Sequence, residues 1–202
     1  NAAKVEISNS IIQGSVSGSG KSQNIGIEFY TVAGATVRIW NNIFYNIVGG
    51  ASNEAAIWGS TGGGNMYIHN NTIYNCSKGI WDDNAGGYNI AKNNIVTNTP
   101  IATNDYIGSF ALGTTNNATD GTDAPDTNPG TNYTSKTFSF VSTTPGLEDF
   151  HLQSSDVGAQ NLGADLTNDS FIPITTDIDG QTRPTGAGTW DIGADEYVAT
   201  GI

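Results

Sequence analysis

The residues with chemistry to offer fall into two groups. Glu28, Trp58, Trp81, Asp82 and Asp83 lie in the first half of the chain, and Asp120, Asp123, Asp126, Asp177 and Asp179 in the second. Two carboxyl groups flanking a sugar are what glycoside hydrolysis requires, about 6.5–9.5 Å apart for inversion and about 5–5.5 Å for retention. A polysaccharide lyase instead needs a base for the proton beside a uronate and cations to hold the acid. Indole rings beside acids hold sugars by stacking and hydrogen bonding. Aspartate oxygens in loops suit calcium, the candidate ion here. Asp120, Asp123, Asp126 and Asn128 offer four oxygen ligands in one loop, and Asp177-Ile-Asp179-Gly180 opens like another, neither at strict motif spacing. Of the two histidines, His69 reads as a surface residue on a strand and His151 falls in the C-terminal region. No Ser-His-Asp, zinc or phosphate-loop constellation accompanies them.

What must position these residues is a repeat. The chain writes nearly one line four times: Ile7-Ser-Asn-Ser-Ile-Ile12, Ile39-Trp-Asn-Asn-Ile-Phe44, Ile68-His-Asn-Asn-Thr-Ile73 and Ile90-Ala-Lys-Asn-Asn-Ile95. The starting isoleucines are 32, 29 and 22 residues apart. A second ladder, Ile27, Ile57, Ile80 and Ile101, follows Gly26, Ala56, Gly79 and Pro100. Ladders in step mean one structural unit stacked on itself. Apolar and polar residues alternate as in half-buried strands, and no segment carries a helical period. Asn tolerates positive φ, so the Asn pair suits a bend between strands. Stacking then predicts one column of Asn9, Asn41 and Asn70, broken by Lys92, and a second of Ser10, Asn42, Asn71 and Asn93. The expected fold is all-β, a right-handed parallel β-helix of three-strand coils. Gly- and Ser-rich inserts at Ser15–Gln23, Val48–Asn53 and Gly59–Gly64 read as surface loops.

With the second ladder pointing inward, the next residues point out. That gives a column of Glu28, Trp58, Trp81 and Ala102 and, two residues on, Tyr30, Ser60, Asp83 and Asn104. Trp58 and Trp81 then stand about 4.8 Å apart, flanked by acids. Glu28, Tyr30, Trp58, Trp81 and Asp83 form the candidate glycan face, against the plainer reading that the rings pack under inserted loops. Tyr45 and Tyr74 form a second aromatic file open to the same two readings. As an enzyme the face fits poorly. Glu28 and Asp83 are separated by roughly 12 Å between backbones, and Asp82 should point opposite to Asp83. Lys78 is the one cation nearby, with Arg38 and Lys92 on another strand.

Composition bounds the rest. Formal charge is −12: residues 1–104 carry five acids and five bases, residues 105–202 fourteen acids and two bases. A chain so poor in Lys and Arg is not a nucleic-acid binder, and no apolar stretch is long enough to span a membrane. Lone Cys76 cannot form an internal disulfide and reads as a buried thiol. The repeat weakens after Asp105, with a fifth coil expected through Ile107, Phe110 and Leu112. The expected division is coils over 1–117, then an acidic loop and irregular C-terminal cap over 118–202, packed on the last coil. Solenoid ends need such caps. Arg183, alone among Asp177, Asp179, Asp191 and Glu196, is expected to form a structural salt bridge.

The Asn-Asn-centred repeats resemble secreted pectate-lyase-like β-helix proteins. The runs Asp149-Phe-His-Leu-Gln-Ser-Ser-Asp156, Asp177-Ile-Asp-Gly-Gln-Thr-Arg-Pro184 and Asp191-Ile-Gly-Ala-Asp-Glu-Tyr197 are similar to the C-terminal end of bacterial choice-of-anchor Q β-helix proteins. The resemblance implies a bacterial, exported, often surface-attached protein without fixing one activity. It places a substrate groove, where there is one, on the Trp58/Trp81 sheet. The expectation is a non-catalytic, adhesin-like surface module that binds glycans. The alternatives are a polysaccharide lyase or glycoside hydrolase using the same face, with Glu28, Asp82 and Asp83 as its candidates, or a spacer that stacks with neighbouring chains. A stacking partner or further coils are expected ahead of Val5.

Overall fold

The computed structural model describes residues 3–15, 24–30, 33–49, 53–60, 62–83, 86–125, 132–185 and 190–199, and it is all-β. The first coil holds β1 (Lys4–Ser8), β2 (Ile11–Gln13) and β3 (Ile25–Tyr30). The second holds β4 (Thr36–Trp40), β5 (Ile43–Tyr45) and β6 (Ala55–Ser60); the third, β7 (Asn65–His69), β8 (Thr72–Tyr74) and β9 (Ile80–Asp82). The fourth holds β10 (Ile90–Lys92), β11 (Ile95–Thr97) and β12 (Tyr106–Gly108), and β13 (Ala118–Thr119) begins a fifth. Each coil gives one strand to each of three parallel sheets: β1-β4-β7-β10, β2-β5-β8-β11-β13 and β3-β6-β9-β12. One strand per sheet per coil is the order of a β-solenoid. The interior is an apolar column of Val37, Ile39, Phe44, Ile57, Met66, Ile68, Ile73, Ile80 and Val96. Cys76 is buried among them as a free thiol, and burial pushes its pKa up to about 12.

The asparagines set the corner between the first and second sheets. Asn9, Asn41, Asn70, Asn93 and Asn116 all take φ near the left-handed minimum, between 49° and 53°. The next residue turns its amide inward and forms a ladder. Asn42 donates from its backbone N and its Nδ2 to Asn71 Oδ1 at 3.0 and 3.1 Å, and Asn71 does the same to Asn94 Oδ1. Asn94 repeats the pattern on Asn117, and Asn117 on Asn132. Each Nδ2 also donates to strand carbonyls, so buried backbone groups at the bend find partners. A corner not foreseen from the sequence follows the second sheet, where Asn46, Asn75 and Asn98 again take positive φ.

The register corrects two expectations. Ile90 pairs with Tyr67, Ala91 with Ile68 and Lys92 with His69. Asn93 therefore belongs to the left-handed column and Asn94 to the ladder, and Lys92 breaks neither. Ala91 fills the interior isoleucine slot, while Ile90 turns outward to pack against Trp190 and Leu166. In the third sheet Ile80 pairs with Tyr106, not Ile101, which is 56% exposed. The position before each ladder residue is thus Gly26, Ala56, Gly79 and Asp105. A side chain at Gly79 would strike the Asp105 carbonyl at 2.3 Å and one at Gly26 the Ala56 carbonyl at 2.5 Å, which accounts for glycine at those two rungs. The fifth coil runs through Thr115, bridged to Lys92, and β13, not through Leu112, which is 76% exposed.

The C-terminal segment wraps the flank of the solenoid. A hairpin joins β14 (Phe140–Ser142) to β15 (Asp149–Leu152) antiparallel. Phe140, Phe150, Leu152, Ile192 and Ala194 cover the second sheet over Ile43, Tyr45, Tyr74 and Ile95. Phe171, Ile172, Ile174 and Trp190 cover the first over Trp40, Tyr67 and Ile90. Side chains of the left-handed asparagines act as anchors: Asn41 donates to Thr176 O, Asn93 exchanges two bonds with Ala164, and Asn116 donates to Leu162 O. Having little sheet of its own, the segment uses aspartates as acceptors for backbone N–H groups. Asp156 takes Ser139, Gly158, Ala159 and Gln160; Asp177 takes Asp179, Gln181 and Glu196; Asp191 takes Asn161 and Tyr197.

Candidate functional site

The third sheet is where the glycan-face residues fall together. Glu28 pairs with Trp58 and Trp58 with Trp81, and Tyr30 pairs with Ser60. The next rung after Trp81 is Ile107, in place of the expected Ala102. Strand pairing holds the indoles face to face, centroids 4.8 Å apart and 9° from parallel. The Lys78 ammonium sits over the Trp81 ring, 3.7 Å from its centroid. The space between the rings is therefore filled, and one outer face carries a cation. Both rings stay half-buried, Trp58 Nε1 is buried, and Glu28 is the neighbour on the far side of Trp58. Glu28, Tyr30 and Asp83 are exposed around it, Tyr30 at 75%, whereas Ser60 is buried. Residues 50–52, 61, 84 and 85, at the ends of these strands, lie outside the described residues, as do 16–23 of the first insert; Gly59 and Ser60 belong to β6.

Asp82 is not on this face. It is buried, and Asn89 donates Nδ2–H to its Oδ1 at 2.7 Å. Asn89 in turn accepts from Met66 N, so Asp82 closes an interior bend. Tyr45 and Tyr74 do not form a binding file either, because each lies 5.1 Å from the Phe150 ring under the hairpin. His69 is corrected from surface to interior. It is fully buried beneath the C-terminal segment beside Asp169, which pairs with Lys92, and burial keeps its pKa well below the ordinary value.

The acidic candidates separate. Asp120 accepts from Asn98 N, while Asp123 accepts from Asp105 N and Tyr106 N and so ends the third sheet. Asp105 itself is buried, bonded by Thr99 and Thr119, and burial raises its pKa to about 6 against those bonds. Asp126 and Asn128 lie outside the described residues. Asp177 spends its oxygens on backbone amides, but Asp179 meets His151 Nε2 at 2.6 Å. His151 gains its second carboxylate partner only in the fold. The signal for the first was Asp149-x-His151, which in a strand places both side chains on one face.

Arg183 is fully buried at the centre of the C-terminal segment. It donates to Glu196 Oε2 at 2.8 Å and to the carbonyls of Asp191, Gly193 and Ala194. With the Asn70 amide oriented to face it, Asn70 oxygen accepts from Arg183 Nε and Nη2 at 3.1 and 3.2 Å. Its guanidinium also stacks over Trp190, 5.2 Å from the ring. Arg183 thus ties the segment to the left-handed asparagine column. No helix among the described residues is long and apolar enough to cross a membrane. No protein-family model matches the chain, nor does any curated protein or solved structure.

Proposed function

We propose that this chain is a non-catalytic, right-handed parallel β-helix module of a bacterial cell surface that binds a glycan on its third sheet. One observation carries the reading. The described C-terminal segment packs over the first and second sheets but not over the third, where the Trp58–Trp81 ladder stands among Glu28, Tyr30 and Asp83. An aromatic ladder rimmed by carboxylates and a phenol offers apolar contact and hydrogen-bond acceptors to sugar hydroxyls along a linear polymer. The resemblance to exported β-helix proteins and to the choice-of-anchor Q C-terminal end agrees with such a role.

The carboxylates argue against hydrolysis. With Asp82 interior, Glu28 and Asp83 remain, two coils and two residues apart, roughly 12 Å between backbones, which fits either glycosidase spacing poorly. A uronate would meet Lys78 alone among the described cations of this sheet, and that ammonium already lies over Trp81.

The test is binding and product release on one panel of neutral and acidic polysaccharides. Binding without products, weakened at least about tenfold in Trp58→Ala and Trp81→Ala with circular dichroism unchanged, is the expected result. A stacked pair is worth roughly 1 kcal/mol beyond burial, so the folded state should survive either change. Unsaturated or reducing-end products would make the chain an enzyme. Binding indifferent to both tryptophans, or no binding at all, would sink the glycan face and leave a spacer.

A further inference from the structure

The cluster around His151 stands apart from the tryptophan face and is built differently from the other acids of the C-terminal segment. On β15, Asp149 and His151 point to the same side, and Asp149 Oδ1 is hydrogen-bonded to His151 Nδ1. That bond turns Nε2 outward, where Asp179 Oδ2 lies 2.6 Å away. Asp195 arrives from the final segment, and ligand atoms of His151, Asp179 and Asp195 all lie within 4.8 Å of one another. No other group of three His, Cys, Asp or Glu ligands gathers this closely among the described residues.

Three separate stretches are thus brought to one point, and each is held in place. Asp195 is buried, with Oδ2 accepting from Leu152 N at 2.7 Å, so this residue is locked to the strand that carries His151. Asp179 sits on a turn that Asp177 closes by accepting Asp179 N and Gln181 N. The cluster borders a pocket of about 240 Å³ lined by His151, Gln181, Asp195, Glu196 and Tyr197. Solvent can therefore reach the ligand atoms from one side.

We propose that His151, Asp179 and Asp195 bind a divalent transition-metal cation of the zinc and cobalt type, with Asp149 orienting the imidazole. A carboxylate on the far ring nitrogen is the usual partner of a metal-bound histidine, because it fixes the tautomer and raises ligand basicity. An imidazole with two carboxylates suits zinc or cobalt, whereas calcium takes an all-oxygen shell. Three protein ligands leave a coordination position for water on the pocket side.

Cobalt(II) is the first probe, added to the metal-stripped full chain. The expected result is one cobalt per chain with a visible ligand-field band, displaced by zinc, indifferent to millimolar calcium, and accompanied by a rise in melting temperature. His151→Ala and Asp179→Asn should abolish the band, and Asp149→Asn should weaken binding by about 10–100-fold with the three ligands intact. Asp179 is partly exposed, so Asp179→Asn should fold even if His151→Ala does not. No cobalt uptake at millimolar concentration, or uptake unchanged in Asp179→Asn and His151→Ala, would overturn the site and leave a histidine paired with carboxylates. Neither outcome bears on the glycan face, which shares no residue with it.

Discussion

At the scale of single residues, asparagine does three jobs in this chain, and each uses a different part of the molecule. Its tolerance of left-handed φ makes the corner at Asn41, Asn70 and Asn93. Its amide one position later links coils through Asn42, Asn71, Asn94 and Asn117. Its side chain at the corner itself reaches out to hold the C-terminal segment. Asn42, Asn71, Asn94 and Asn117 are fully buried, so losing one of these rungs leaves polar groups with no water to turn to. Asn71 is the test. Its oxygen accepts from Asn42 twice, and its nitrogen serves Ile39 O, His69 O and Asn94 Oδ1. At about 1–3 kcal/mol for each buried group left unpaired, Asn71→Ala should cost about 3–5 kcal/mol. Asn132, at the half-buried end of the ladder, should cost only about 1 kcal/mol when replaced by Ala. Urea unfolding checks both: the midpoints should move by unequal amounts with the slope unchanged.

At the scale of elements, the decisive relation is between the coils and the segment that wraps them. The coils were legible because one alternation and one Asn pair recur, and the indole ladder was legible because it uses one residue per coil. The register slipped where identity misled: Ile90 matched the earlier isoleucines, yet Ala91 holds the interior slot because Ile90 has a partner in Trp190. Tyr106 likewise holds the slot assigned to Ile101. The wrapping segment has no period, so nothing in the sequence told that it would bury His69 and Tyr74 or gather His151, Asp179 and Asp195. What holds it down is Arg183, whose donors serve three carbonyls, Glu196 and Asn70. Removing one partner of a buried ion pair typically costs about 3–5 kcal/mol, and Arg183→Ala is expected in that range. Arg183→Lys should recover little, since one ammonium cannot reproduce the planar fork. Limited proteolysis supplies the element-level readout. In both variants cleavage should begin between residues 138 and 199 while the coils stay protected; uniform cleavage throughout would mean that segment and coils unfold as one unit.

At the scale of the whole molecule, the charge is lopsided, and its consequence is a preference for mildly acidic conditions. The −12 formal charge belongs to the second half, whose acids are packed against a solenoid that offers few cations. Self-repulsion falls as those acids take up protons. Asp105 adds a local effect at the end of the third sheet. Buried in a position that Gly26, Ala56 and Gly79 occupy in earlier coils, it faces Asp123 and Asp120, and its pKa rises from 3.8 to about 6. Burial raises Asp123 as well. Between about pH 4 and 6 the folded chain therefore holds protons that the unfolded chain has released, so stability falls as pH rises through this window. Carboxylates held low, such as Asp169 beside Lys92, act oppositely and lose their contribution only as pH drops below the ordinary range. His69, buried in its neutral form, adds the reverse trend over this window, but Asp191, Asp195 and Glu196 are raised by burial as well and outnumber it, so the melting temperature should peak near pH 4–5 and decline toward pH 7. A shift of about two units at Asp105 corresponds to about 3 kcal/mol, an upper value for its share. Asp105→Asn keeps the shape without the buried charge and should flatten the decline between pH 4 and 6. A wild-type melting temperature that climbs steadily from pH 4 to 7, or a variant with the same slope as the wild type, would remove Asp105 from the account and leave the pH response to the paired carboxylates.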